Sequence, residues 1–300
     1  MSATGVGAVA LAAGLELAFG EPPERTHPVA WFGRAVAWTD REWSRPRLAG
    51  GAVGFVAPLF AAGAVGGAVA LAGSVHAAFG VLAAGIGLFS TTSLRMLLTT
   101  AREVIAESAS DPEAARGELR ALAGRDPSEL SAGEVRSAAV ESAAENLADG
   151  LVAPLGAFAV LAPASIALAT GAAAWVKAVN TLDSMLGYPS KPHGTASARL
   201  DDLVMWVPAR ASAISIALAA RRPAALTSAR RWAYEPPSPN SGWPMATLAA
   251  VLDVRLEKPG VYALNPSADL PDAETARRGV RVVGRAGVLG YLIAGVIAWF

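Results

Sequence analysis

The chain has 300 residues, of which 53% are hydrophobic and 17% are charged, so it is more apolar than an ordinary soluble domain. Its formal net charge is zero. No long-range positive field therefore attracts nucleic acid, which we exclude as a partner. Cysteine is absent, which excludes disulfides, thiolate nucleophiles and zinc bound by cysteine.

The chain begins with an apolar stretch, for which we predict a membrane helix over residues 4–19. This stretch lacks a basic region at its start and contains Glu16, so we interpret it as a retained helix rather than a cleaved signal. Prolines follow it, and residues 29–43 then mix tryptophans with arginines. Such a mixture is typical of a short amphipathic helix in the lipid headgroup layer.

Residues 48–94 contain no Asp, Glu, Lys or Arg. About 20 apolar residues cross a bilayer once, so this run is long enough for two crossings. We predict a helical hairpin of residues 50–72 and 76–98 that turns near Gly73. Its many glycines indicate close packing of helices, an interpretation that we prefer to a role in transport.

Residues 99–149 are predicted to form a cytoplasmic helical segment. Ser131 and Glu134 have the spacing of a capping box at the start of its last helix. On that helix Glu141, Glu145 and Asp149 recur every fourth residue and form one acidic stripe. Like charges at this spacing destabilise a helix by roughly 0.2–0.5 kcal/mol per pair, and no Lys or Arg on the stripe offsets them.

Two interpretations of the acidic stripe remain open. It is either a solvated face or a site for a cation, and the apolar run that starts after Gly150 favours the cation because it brings the stripe close to the membrane surface. Carboxylate oxygens are hard ligands that suit Mg²⁺, which commonly bridges one or two carboxylates to substrate phosphates.

The apolar residues 151–174 are interrupted by Pro154 and Pro163. Arginines near residues 45, 95 and 221 indicate a cytoplasmic side there by the positive-inside rule. We therefore predict two short half-helices that enter the membrane and return, which keeps all the polar clusters on the cytoplasmic face. Residues 203–220, which contain Pro208 and Arg210, are predicted to form part of a cavity wall.

Two further polar clusters follow the predicted half-helices. The second cluster holds Asn180, Thr181, Asp183 and Ser184 behind Lys177, and its alternative interpretation is a junction with an N-cap between two helices. The third cluster is the set Arg199, Asp201 and Asp202, together with Arg210. Its members are either internal ion pairs or a site in which aspartates hold Mg²⁺ and arginines bind phosphate.

The remaining candidates lie in loops. His27 and His193 are expected to act as hydrogen-bond partners within their loops. Residues 232–272 form a long Pro-rich segment, predicted to be a loop that covers a bulky ligand. Within it Trp243 offers a flat apolar face and Asn240 a donor, although Trp243 is equally suited to anchor the loop at the membrane interface. A final helix is predicted over residues 285–300.

The sequence contains no P-loop and no dinucleotide-binding fingerprint. These patterns together predict one membrane-embedded domain over residues 1–300: an all-α, polytopic integral membrane protein with broken or re-entrant helices. The residues alone indicate a membrane enzyme with an acidic, Mg²⁺-dependent site. A transporter of a small polar molecule and a non-catalytic scaffold of a membrane complex are the alternatives.

Several motifs, in this order along the chain, resemble the adenosylcobinamide-phosphate synthase family of cobalamin biosynthesis, also called CobD or CbiB. They are GEPP at 20–23, HPV at 27–29, ESAAENLADGLVAP at 141–154, KAVNTLDSMLGY at 177–188, SARLDD at 197–202, PAR at 208–210 and PNSGWP at 239–244. The chain departs from the family pattern at Glu21, where Asp is usual, and at Met205, where Asn is usual.

The resemblance implies a multi-pass ligase of the cell membrane whose site faces the cytoplasm and which uses ATP and Mg²⁺. It would join adenosylcobyric acid to (R)-1-aminopropan-2-ol or its O-phosphate through an amide. Membrane lipid and other membrane enzymes of nucleotide-loop assembly are its expected partners.

We assign roles within these motifs as hypotheses. The predicted Mg²⁺ ligands are Glu141, Glu145, Asp149, Asp201 and Asp202. Phosphate charge would be stabilised by Lys177, Arg199 and Arg210, and Asp183 would accept a proton from the attacking ammonium. The predicted substrate-binding residues are His27, Asn146, Asn180, Thr181, Ser184, Tyr188, Ser197, Asn240 and Trp243.

Overall fold

The computed structural model describes residues 2–23, 25–122 and 128–300, and it confirms an all-α protein. The helices of the first half are α1 (Ser2–Phe19), α2 (Pro28–Ala37), α3 (Pro46–Val75), α4 (Ala77–Phe89), α5 (Arg95–Glu107), α6 (Pro112–Leu122) and α7 (Ala132–Leu147). Those of the second half are α8 (Ala153–Leu161), α9 (Ile166–Leu186), α10 (Thr195–Val204), α11 (Trp206–Ala219), α12 (Ala225–Ala229), α13 (Gly242–Leu252) and α14 (Ala273–Ile297). Strands β1 (Leu256–Lys258) and β2 (Tyr262–Leu264) pair antiparallel, with Glu257 opposite Ala263.

Contacts divide the chain into two compact units. Unit 1 consists of Met1–Ser93, Asp149–Met205 and Tyr291–Phe300, and unit 2 consists of Leu94–Ala148 and Trp206–Gly290. The predicted site residues are divided between these two units.

Helix α9 forms the centre of unit 1, where it packs against α2, α3, α4, α8 and α10. The Ser165 hydroxyl caps its start by accepting a hydrogen bond from the Leu168 amide at 3.3 Å. Its apolar face packs through Leu182 and Leu186 against Val36 of α2. The opposite, polar side of α9 is therefore left for the second polar cluster.

The predicted hairpin is confirmed by α3 and α4, which pack against each other and turn at His76. The His76 ring caps α4 by accepting a hydrogen bond from the Ala78 amide at 3.2 Å. Helix α4 ends at Phe89 rather than near residue 98. The Thr91 and Thr92 hydroxyls donate to the carbonyls of Leu88 and Phe89, which satisfies the last acceptors of the helix.

The chain reverses direction at residues 162–165, and α8 and α9 pack against each other. The prediction of two short half-helices within residues 151–174 is wrong for the second leg, because α9 has 21 residues and continues to Leu186. Its polar residues do not break it. The Thr181 and Ser184 hydroxyls donate to carbonyls four residues earlier in the same helix.

Unit 2 contains the predicted helical segment as α5, α6 and α7, which pack together. The predicted capping box is confirmed, since the Glu134 amide donates to the Ser131 hydroxyl and the Ser131 amide donates to Glu134 Oε2 at 2.7 Å. The prediction of one long loop over residues 232–272 is wrong, because this segment contains α13 and the β1–β2 hairpin.

The last helix, α14, begins at Ala273 instead of Arg285. Its first turns are amphipathic, because Ala276, Val280 and Val283 are buried at helical spacing while Arg277 and Arg281 are exposed. The sequence prediction therefore placed the start of this helix twelve residues too late.

Three helices in the described ranges are long and apolar enough to cross a membrane. They are Pro46–Val75, Ala132–Leu161, in which a π-helical turn joins α7 to α8, and Ala273–Ile297. A bent pair, Pro192–Val204 with Trp206–Ala219, provides a fourth crossing if the pair counts as one span. The protein is therefore a polytopic membrane protein.

Candidate functional site

Lys177 is the central charged residue of unit 1. It lies on α9, and its ammonium is close enough to the carboxylates of Glu21 and Asp149 for their opposite charges to attract. Asp149 belongs to the π-helical turn before α8, and the carbonyl of the neighbouring Gly150 accepts a 2.8 Å hydrogen bond from the Ser93 amide. Three separate chain segments therefore bring charged groups to one place.

Glu21 and His27 complete this group from the turn between α1 and α2. His27 Nε2 lies 3.6 Å from Glu21 Oε2, while His27 Nδ1 accepts a hydrogen bond from the Val29 amide and caps α2. Burial by itself would raise the pKa of Glu21. Hydrogen bonding to His27 and Ser93 and the positive charges of His27 and Lys177 hold that pKa below its ordinary value.

A cavity of about 740 Å³ opens beside Lys177 between α2, α3 and α9. Its walls are mainly aliphatic and aromatic side chains, such as Phe32 and Val53, whereas Lys177, Thr181 and Thr91 supply polar groups. Small-molecule sites commonly combine an apolar wall with a few polar groups that fix orientation. This cavity and the group Lys177, Glu21, His27 and Asp149 together form the candidate site of unit 1.

The rest of the second polar cluster lies further along α9. Asp183 lies close enough to Asp202 of α10 for the two carboxylates to repel each other. Asn180 and Thr181 are half-buried, whereas Ser184 is exposed. The alternative of a junction between two helices is wrong, because α9 runs without a break through all four residues of the cluster.

The link after α9 is held by polar contacts on one side and by close backbone packing on the other. Asp40 accepts a 2.6 Å hydrogen bond from Lys191 Nζ, and its other carboxylate oxygen lies 3.2 Å from His193 Nε2. The contact with Lys191 is the main reason that the pKa of Asp40 lies below its ordinary value. Gly194 is required here, because a side chain would collide with the carbonyl of Leu186.

Other predicted residues of this region differ in exposure. Tyr188 and Arg199 are exposed, and Asp201 and Asp202 are half-buried. Ser197 is buried against Gly54 of α3, and its hydroxyl has no hydrogen-bond partner in the described part of the chain. A substrate-binding role for Ser197 is therefore a weaker hypothesis than close packing of α10 on α3.

No three His, Asp or Glu side chains within residues 2–23, 25–122 and 128–300 come together as a metal-binding group. The five predicted Mg²⁺ ligands are thus not gathered into one cage of protein ligands. Mg²⁺ that is bound to a nucleotide needs only one or two carboxylates from the protein. Asp149, Asp201 and Asp202 of unit 1 remain suitable candidates for that number.

Glu141 has a different environment, in unit 2. It is only 1% exposed, and its two oxygens accept hydrogen bonds of 3.0 Å from Ser137 and from Tyr262. Ser137 in turn accepts a 2.8 Å hydrogen bond from the Glu257 amide of β1. This network attaches the hairpin to α7 and favours a structural role for Glu141 over the predicted role of metal ligand.

Glu145 and Asn146 are half-buried on the next turn of α7. The Asn146 amide donates to the carbonyl and the hydroxyl of Ser142 at 3.0 and 3.1 Å. Their predicted roles in metal and substrate binding stay predictions.

Arg210, Asn240 and Trp243 lie together in unit 2, although 30 residues separate the first two in sequence. Arg210 donates to Asn240 Oδ1 at 2.8 Å and to the Trp206 carbonyl at 2.9 Å. Its guanidinium carbon lies 4.4 Å from the centre of the Trp206 ring and 5.2 Å from that of Trp243. Arg210 is therefore held by cation–π contacts and hydrogen bonds together.

The PNSGWP motif follows a tight path. Gly242 packs so closely on the carbonyl of Ala233 that any side chain would collide with it. Asn240 is only 4% exposed, so it positions Arg210 rather than reaching outward to a ligand. Tyr234 meets Trp243 edge to face at 5.9 Å.

Sequence reasoning missed Glu21, Trp206 and Tyr262 as members of these groups. Glu21 was given no role because it differs from the residue that is usual in the family. Tyr262 carries no local signal, because its partner Glu141 is 121 residues away. A search for buried charges and their possible long-range partners would have been the only route to it.

Comparison with known proteins gives one consistent result. The CobD/Cbib protein family matches residues 9–284. A probable cobalamin biosynthesis protein CobD of Methanothrix thermoacetophila is 36% identical, over 94% of this chain and 93% of its own length. The cobalamin biosynthesis protein CobD of Klebsiella pneumoniae is 37% identical, over 83% of this chain and 81% of its own.

The cobalamin biosynthesis protein CbiB of Salmonella typhi is 34% identical, over 89% of this chain and 86% of its own length. No solved structure matches the chain. The match to the family and the identity to its named members both extend over most of the sequence. The chain therefore belongs to the CobD/CbiB family.

Proposed function

We propose that this protein acts in cobalamin biosynthesis as a membrane-bound ligase that joins a corrinoid carboxylic acid to an amine. The names of its relatives support the pathway. The substrates that we propose are adenosylcobyric acid, ATP, and (R)-1-aminopropan-2-ol or its O-phosphate, and the product is the corresponding adenosylcobinamide.

The observation that carries this proposal is the position of Lys177. It is half-buried, lies at the wall of an apolar cavity and is attracted by the charges of two carboxylates. A half-buried cation at the edge of an apolar cavity is suited to a ligand that is largely organic but bears a carboxylate or phosphate. A non-catalytic scaffold would gain nothing from placing this charge beside an apolar cavity.

The proposed chemistry has two steps. A carboxylate oxygen of the corrinoid acid attacks the γ-phosphorus of ATP, which breaks the bond to the β-phosphate oxygen and gives an acyl phosphate and ADP. The amine nitrogen then attacks the acyl carbon, inorganic phosphate leaves, and a base takes the proton from nitrogen. Lys177 would stabilise the negative charge that develops on the transferred phosphoryl and acyl oxygens.

Asp183 is our candidate for the base. Burial and the negative charge of Asp202 beside it both raise the pKa of Asp183, which favours its uptake of a proton. Asp183 lies six residues after Lys177 on α9, about 1.7 helical turns away, so we assign the two residues to different parts of the reaction.

The proposal includes Mg²⁺ that enters with ATP. One or two carboxylates among Asp149, Asp201 and Asp202 would hold it, and when bound it would withdraw charge from the phosphates. Glu141 is not included, because Ser137 and Tyr262 already use its oxygens.

The test is mass spectrometry of products after the purified protein is incubated with adenosylcobyric acid, ATP, Mg²⁺ and each amine in turn. We expect a new product whose mass equals that of acid plus amine minus water, with equimolar ADP. Reactions without ATP or without amine are the controls. ATP-independent passage of a corrinoid across vesicles, with no amide product, would replace the ligase by a transporter.

We further propose that the site faces the cytoplasm, where ATP is available. The cysteine-free chain allows a direct test with Ser190→Cys, in the link between α9 and α10, and Ser110→Cys, in the link between α5 and α6, because both serines are exposed. A membrane-impermeant maleimide should label neither variant in intact cells and both in inverted vesicles. Labelling of Ser190→Cys alone in intact cells would contradict the proposal.

A further inference from the structure

Unit 2 contains a second cavity, of about 500 Å³, which has no role in the proposed reaction as described above. Three aromatic side chains and two arginines line it, together with Thr227 and three aliphatic residues. The lining aromatic and basic residues are Trp206, Tyr234, Trp243, Arg210 and Arg230.

The charges of the residues that line this cavity indicate which of the proposed substrates it can bind. None of its lining residues in the described part of the chain is Asp or Glu. The ammonium of an amino alcohol would find no counter-ion there, and Arg210 and Arg230 would repel it. An anionic or uncharged ligand is therefore favoured.

The aromatic groups narrow the choice to a flat ligand. The indoles of Trp206 and Trp243 and the guanidinium of Arg210 are planar surfaces held in place by their mutual contacts. Purine bases stack on such surfaces, and each stacked base contributes substantially to binding.

The size of the cavity excludes the corrin ring. Its volume is in the lower part of the range of small-molecule sites, which run to roughly 1,000 Å³. A nucleoside fits such a volume, whereas a corrinoid with its peripheral amides is considerably larger. Trp243 is thus better suited to a purine than to the bulky ligand that the sequence predicted for this segment.

We propose that this cavity binds the purine of an adenosine group against the indole of Trp243. The inference rests on the proposed function, which supplies two sources of this group, ATP and the adenosyl ligand of adenosylcobyric acid. An anionic lipid headgroup is the competing ligand, because tryptophan and arginine also occur together at membrane interfaces.

The experiment compares Trp243→Ala, Trp243→Phe and wild type in detergent, by equilibrium binding of radiolabelled ATP, of adenosylcobyric acid and of cyanocobyric acid, which lacks the adenosyl ligand. If ATP is the ligand, Trp243→Ala should weaken ATP binding about tenfold or more, whereas Trp243→Phe, which keeps an aromatic face, should weaken it much less. Loss of adenosylcobyric acid binding, with unchanged binding of the cyano form, would instead identify the adenosyl ligand.

Unchanged binding of ATP and both corrinoid acids to a folded Trp243→Ala protein would overturn the inference. The part of the tryptophan fluorescence that is lost in Trp243→Ala reports on this site. Its protection from acrylamide by phosphatidylglycerol nanodiscs, but not by ATP or adenosylcobyric acid, would identify a lipid site and also overturn the inference. Thermal unfolding checks that each variant is folded.

Failure of this inference and failure of the proposed function give different results. If wild type forms the amide product while the Trp243 variants bind normally, only this inference fails. If binding depends on Trp243 but no product forms, only the proposed function fails.

Discussion

Lys177 of unit 1 is half-buried and Glu141 of unit 2 is buried, and both are charged residues in motifs of the same family, yet their surroundings differ. Glu141 is enclosed, and neutral hydroxyl donors from Ser137 and Tyr262 satisfy both of its oxygens. Lys177 instead lies among charged groups and borders a cavity. The Glu141 carboxylate is thus hydrogen-bonded within the fold, whereas the Lys177 side chain lies beside space for a ligand.

The comparison shows how to separate structural from functional charges in a membrane protein. A buried charge is costly in either case and must be compensated. When neutral protein groups complete the compensation, the residue stabilises the fold. When the neighbours are themselves charged and a cavity is adjacent, a ligand is the natural further partner.

The largest effect that we expect is on catalysis, from Lys177→Met. Methionine has a similar length but no charge, so the variant should lose amide formation by about 10²- to 10³-fold while remaining folded. The measurement is the rate of product formation at saturating ATP and corrinoid acid. A rate within threefold of wild type would end the assignment of Lys177 to the reaction.

Lys191→Met is the matched control for that experiment. Lys191 is a lysine of the same unit, but it is partly exposed and pairs with Asp40 instead of bordering the cavity. Surface ion pairs contribute only about 0–1 kcal/mol, so both the rate and the stability of this variant should stay close to wild type.

The second effect is on stability, from Glu141→Ala. The substitution leaves the hydroxyls of Ser137 and Tyr262 without their acceptor, and we expect a loss of about 2–4 kcal/mol in the free energy of unfolding. Hydrogen exchange should rise first in residues 256–264, because the Glu257 amide bonds to Ser137. The rate per folded molecule should change much less than in Lys177→Met.

Tyr262→Phe sharpens this test, since it removes one hydrogen bond to Glu141 and keeps the ring. We expect a loss of about 1 kcal/mol, smaller than that of Glu141→Ala. A catalytic defect in Glu141→Ala as large as that of Lys177→Met, with normal hydrogen exchange in the hairpin, would reverse the two roles.

The smallest effect concerns the metal. Asp149→Asn replaces a charged oxygen ligand by a neutral one, and the Mg²⁺ concentration for half-maximal rate should rise roughly threefold to tenfold. The same substitution at Asp253, an exposed residue of unit 2 outside the motifs, provides a control for a general loss of charge. An unchanged Mg²⁺ titration in Asp149→Asn would indicate that Asp149 only orients Lys177.

The sequence by itself determined the helical membrane class, the hairpin of α3 and α4, the capping box at Ser131 and the family. Each depends on local information: apolar runs of sufficient length, residues that cap a helix, or motifs in a fixed order. It also identified Lys177 and Arg210 as charged groups worth testing, because charges in apolar surroundings are costly wherever they lie.

The tertiary structure alone decided what those charges contact. The pairing of Glu141 with Tyr262, the approach of Glu21 to Lys177 and the position of Arg210 between two indoles join segments far apart in the chain. No spacing or periodicity records such contacts, because they follow from how helices pack. Three carboxylates on one stripe therefore looked equivalent in the sequence, whereas Glu141 bonds to a hairpin and Asp149 lies beside a lysine.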